Sequence, residues 1–152
     1  MTPRLNPYKA APETIKAMVA LETHVVTSGL EPSLIELVKT RASIINGCAF
    51  CVHMHTSDAR AHGETEERLY LLAAWRESPL YSARERAALA WTDSLTLIAQ
   101  THAPDEDFEL VRQHFSEEEL VKLTMLIGAI NVWNRIAIGF RSVHPVKAAQ
   151  AA

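Results

Sequence analysis

No stretch of this chain alternates apolar and polar residues over the period of two that a half-buried strand requires. Apolar residues recur instead at three- and four-residue steps, in runs punctuated by proline, glycine and capping residues. Pro12 to Ser28 reads as a first helix, with Ile15, Met18, Val19 and Val25 among its apolar positions and Gly29 closing it. A second helix runs from about Pro32 to Ile45, its buried side traced by Leu34, Leu37, Val38, Ile44 and Ile45. A third spans about Cys48 to His62 and stops at Gly63, and Thr65 to Trp75 makes a fourth, ended near Ser78 and Pro79. Ser82 with Glu85 is a capping box that opens a fifth helix to about Gln100, and Asp105 to His114 is a shorter sixth. Ser116 with Glu119 is a second capping box, opening a long apolar helix through Met125, Ile130 and Ile138.

The expectation is therefore an all-α fold, one domain over residues 1–152 with its core from about 12 to 141. The first eleven residues, with Pro3 and Pro7, suit an extended lead-in that packs on a neighbouring subunit, and the tail after Pro145 is expected to fray. The second to fifth helices and the long last one should form the bundle, for which 48% apolar residues are ample. The last helix is apolar around much of its circumference, which points to burial between subunits of an oligomer. A net charge of −3 gives no footprint for nucleic acid. No apolar run approaches the roughly 20 residues of a membrane span, and the N-terminus lacks the apolar stretch of a secretory signal. A cytoplasmic protein is the simplest expectation.

Chemistry concentrates between Ser43 and His55, which holds both cysteines and two of the seven histidines. The Asn46-Gly47 step ends one helix and lets another begin close to Cys48. Cys48, Cys51 and His55 then fall at i, i+3 and i+7, on one face. A thiol in the first helical turn meets unpaired backbone N–H groups and the positive end of the helix dipole, which favour the thiolate. A partner three residues away can close a disulfide with it, and His55 one turn further on can carry its proton. Glu36, beside the apolar stripe of the second helix, is a carboxylate able to orient a histidine. Two other readings of the same residues stand beside this one: a pair of buried core thiols, and a zinc site drawn from Cys48, Cys51, His55 and either His53 or Glu36. His24, His62, His102, His114 and His144 have no partner visible in sequence. Asn131, Asn134 and Arg135 are polar groups set in an apolar helix, so they need partners across an interface or at the thiol pocket.

Glu36, eleven residues, Cys48, two residues, Cys51, three residues and His55 resemble the Glu-x11-Cys-x2-Cys-x3-His signature of the alkylhydroperoxidase D (AhpD-like) branch of the carboxymuconolactone decarboxylase family. Ile130 to Ala137 resembles that family's last core helix, and the likeness spans from about Leu34 to about Arg141. The resemblance implies an AhpD-like helical bundle assembled as trimers or hexamers. It implies that Cys51 attacks a small-molecule hydroperoxide, that Cys48 resolves the sulfenic acid as a disulfide, and that His55 and Glu36 relay protons. An external dithiol or disulfide reductase would then reset the pair. No metal, flavin or haem motif is present, so the expected redox group is the cysteine pair itself. One departure stands out: where well-studied members carry a histidine two residues after the first cysteine, this chain has Phe50. Two alternatives remain, a carboxymuconolactone decarboxylase-like enzyme and a non-catalytic metal-holding or redox-responsive oligomer.

Overall fold

The computed structural model describes residues 2–146. The tail expected to fray lies, beyond Val146, outside them. Among the described residues there is no strand; the helices are α1 (Pro7–Ala10), α2 (Pro12–Val26), α3 (Pro32–Asn46), α4 (Ala49–Ala61), α5 (Glu66–Leu71), α6 (Ala83–Thr96), α7 (Ile98–Thr101), α8 (Asp105–Arg112) and α9 (Glu117–Phe140), with a 3-10 segment over Leu72–Glu77. Both capping boxes form: the Ser82 and Ser116 hydroxyls accept the backbone N–H groups of Glu85 and Glu119, whose carboxylates bond back.

α3 is the axis of the molecule, packing against α4, α6 and α9. One core cluster joins Leu34, Ile35 and Val38 of α3 to Ala87, Ala88 and Trp91 of α6 and to Leu123, Leu126 and Ile127 of α9. Val25 of α2 and Val111 of α8 complete it, so these two helices share the core that the sequence pattern gave to the others. α9 has the length and composition to cross a membrane, yet its inner face, from Leu120 to Ala137, is buried, and Leu120 to Ala129 of it lie in this core.

Three boundaries depart from expectation. The lead-in is not wholly extended, because Asn6 caps a helical turn at Pro7–Ala10 by accepting the Lys9 N–H at 3.2 Å. It packs on its own chain, where the Arg4 N–H and guanidinium donate to the carbonyls of Phe140 (3.0 Å) and Gly139 (3.1 Å). The fourth helix tightens at Leu72 into the 3-10 segment, kinked at Ala74. Its freed carbonyls are taken from elsewhere, by Arg41 at Leu72 and Ala73 and by Arg86 at Trp75 and Arg76. The fifth helix breaks at Leu97 rather than running to Gln100, and the Thr101 hydroxyl donates to the Ser94 carbonyl across the break at 2.7 Å.

Candidate active site

The junction between α3 and α4 sets the thiols. Gly47 closes α3 with φ at 70°, a left-handed conformation that a Cβ would oppose. The next two amides turn back, Gly47 N–H to the Ile44 carbonyl at 3.1 Å and Cys48 N–H to that of Ser43 at 2.9 Å. Cys48 is then the N-cap of α4, its sulfur accepting the Cys51 N–H at 3.4 Å. Both cysteines are buried and joined as a disulfide, with Cα atoms 5.4 Å apart. Closed in this way, neither sulfur offers a thiolate to a metal.

His55 lies one turn below Cys51 and is 4% exposed. Its Nδ1 is 2.9 Å from Glu36 Oε2, reaching from α4 to α3 across 19 positions of sequence. An ionised carboxylate only accepts, so Nδ1 carries the hydrogen and Nε2 is left as the basic nitrogen. The four residues singled out by the spacing are thus together.

Three of the four open onto a cavity of about 630 Å³. Cys51, His55 and Glu36 share its wall with Phe50, Trp133 and Phe140, whereas Cys48 is not among its lining residues. Phe50 also packs with Ala137 on the disulfide. Pro3, Leu5 and Tyr8 of the lead-in close another side. Lys39, 2% exposed on α3, pairs on the wall with Glu22, which also accepts the Trp133 Nε1–H at 3.1 Å. Glu36 reaches a second, polar cavity of about 260 Å³, shared with His62, Arg68 and Glu85. There burial works to raise the Glu85 carboxyl, but the Arg68 guanidinium and the Ser82 N–H hold it below the ordinary range.

The polar residues of α9 find partners inside the chain. Asn134, fully buried, donates to Ser43 Oγ at 3.0 Å and accepts from Asn46 at 2.8 Å. Asn131 accepts from Asn46 at 3.0 Å and donates to Thr96, while Arg135 donates back to Asn131. This network grips the last turn of α3 just ahead of the thiols. His53 takes no part in the site and stacks on His144, ring centroids 4.9 Å apart. Sequence reading missed Asn46 as more than a helix end, the Lys39–Glu22 pair, and Asp58, which also lines the larger cavity. The one available signal was Asp58 standing three residues after His55.

The sequence model of the carboxymuconolactone decarboxylase family matches residues 12–94. The chain belongs to that family. The chain is also similar to the uncharacterised YdfG of Bacillus subtilis (strain 168), 47% identical over 138 residues, which are 91% of this chain and 94% of that protein. A crystal structure of an Agrobacterium tumefaciens protein of unknown function, with a suggested identity as the antioxidant defence protein AhpD, superposes with a TM-score of 0.94 at 57% identity, covering 96% of this chain and 100% of that one. An uncharacterised peroxidase-related protein from Silicibacter sp. TM1040 shares the fold, with a TM-score of 0.80 at 24% identity over 91% of this chain and 74% of the other.

Proposed function

We propose that this AhpD-like chain is a thiol-dependent peroxidase that reduces organic hydroperoxides through Cys51 and Cys48. The observation that carries the reading is the asymmetry of the pair: Cys51 faces the cavity, one turn above the His55–Glu36 hydrogen bond, and Cys48 sits behind it. In the reduced protein, Cys51 loses its proton to His55 Nε2, and its thiolate attacks the terminal oxygen of the hydroperoxide. The O–O bond breaks, the departing alkoxide takes the proton from His55 and leaves as alcohol, and Cys51 becomes a sulfenic acid. Cys48 then attacks that sulfur. The S–S bond forms and hydroxide leaves, protonated to water, which gives the disulfide state of this structure. An external dithiol or disulfide reductase supplies the two electrons that reset it, which suits a reducing compartment such as the cytoplasm. Phe50 in place of a polar residue gives the thiol an apolar wall, which favours an organic hydroperoxide over hydrogen peroxide.

Mass spectrometry tests this. Cys48→Ser protein treated with one equivalent of cumene hydroperoxide and a sulfenic-acid trap should carry the adduct on Cys51, and the reduced parent should lose two hydrogens. Unchanged thiols in both proteins would overturn the proposal.

A further inference from the structure

Asp58 adds a third metal-ligating side chain to the relay. It stands three residues after His55 on α4, so the two share a helix face, and Glu36 meets that face from α3. One donor atom from each of Glu36, His55 and Asp58 can be chosen so that all lie within 4.8 Å of one another. The three line the same cavity, with His55 buried and Asp58 exposed at the outer end, so an ion has a route in. Two carboxylates here face one imidazole. The only lysine or arginine among the lining residues is Lys39, and its ammonium is already held by Glu22.

From this juxtaposition we infer that Glu36, His55 and Asp58 form a binding site for a divalent cation, zinc by the chemistry of its ligands, and that the bound cation switches the proton relay off. Zinc takes nitrogen and carboxylate oxygen at about 2.0–2.2 Å, which sets tetrahedral ligands about 3.4 Å apart, a spacing that the exposed Asp58 side chain is free to turn towards. Three protein ligands leave a position for water from the cavity. Binding engages one lone pair of the neutral imidazole and one of the Glu36 carboxylate, releases any proton held on those two atoms, and moves no electrons. With zinc in place His55 can neither accept the Cys51 proton nor return it. The site does not use the sulfurs, so it persists when the disulfide is closed.

The inhibitory half rests on the peroxidase reading, whereas the binding half does not. Zinc chloride titrated by calorimetry into the disulfide form should bind one ion per chain, and Asp58→Asn should weaken that binding at least tenfold, as should Glu36→Gln. In peroxide turnover, the ratio of rates with and without saturating zinc should fall at least tenfold below one in the parent and stay near one in Asp58→Asn at the same zinc concentration. No binding to the disulfide form, or equal binding in all three proteins, would overturn the site. Binding as expected in a protein that never consumes peroxide would leave the site standing and remove the peroxidase reading. Turnover insensitive to zinc in a protein that binds it would overturn the switch.

Discussion

Asn134 shows how one buried amide can fix a reactive centre that it does not touch. It is fully enclosed, donates to Ser43 and accepts from Asn46, and these two residues belong to the last turn before Gly47 and Cys48. Asn134→Ala leaves the Asn46 amide short of one acceptor and the Ser43 hydroxyl short of a donor in a dry setting, a loss of about 2 kcal/mol. Urea unfolding should show that shift in midpoint at unchanged slope. The disulfide should also become easier to reduce, since the cap of α4 is no longer held. Glu36 and His55 illustrate what spacing can and cannot tell. His55 was marked by its place on the thiol face, whereas Glu36 was marked by its place beside the apolar stripe and by the family signature, with its partner 19 residues away. Asp58 and the Lys39–Glu22 pair carried no comparable signature, because nothing in one helix announces which side chain of another will meet it.

At the level of elements, Arg84 ties three of them together. It donates to Glu31 ahead of α3 (2.8 Å) and to Glu119 in the first turn of α9 (2.7 Å), and its guanidinium covers the Phe115 ring. The Arg84 hydrogen bond, above all, lowers the Glu31 carboxyl from its ordinary 4.5. Glu119 is lowered from the same value, first by the Ser116 N–H of its capping box and then by Arg84. Both groups therefore release their protons more readily folded than unfolded. Their contribution to stability is complete above pH 4.5 and drains away as pH falls through the folded values. Because Glu31 is half exposed, Arg84→Met should cost only about 1 kcal/mol near pH 7. Thermal melts taken at descending pH should show that gap closing once pH drops below 4.5. The helices themselves were legible wherever caps and period agreed, as at Ser82 and Ser116. The 3-10 segment was not, because arginines from α3 and α6 hold its carbonyls, a cause outside the local pattern.

For the whole molecule, the outer face of α9 is the surface left to explain. Val121, Met125 and Val132 line one exposed stripe, 64%, 45% and 42% accessible, with Gly128 between them. A stripe of that kind on the longest helix is suited to a second copy. Light scattering should give a mass that is a multiple of 16.9 kDa for the parent and a smaller one for Met125→Glu/Val132→Glu; a parent at 16.9 kDa would remove the oligomer. A different consequence follows from the lead-in, which Arg4 clips to the end of α9 while Pro3, Leu5 and Tyr8 face the thiol cavity. Pro3, Leu5 and Tyr8 thus wall the cavity in which the proposed chemistry would run, and an affinity tag fused ahead of them would sit beside it. Protein beginning at Ala10 should change its preference between cumene hydroperoxide and hydrogen peroxide by several-fold. If the preference holds constant, the lead-in walls the cavity without shaping what reacts there.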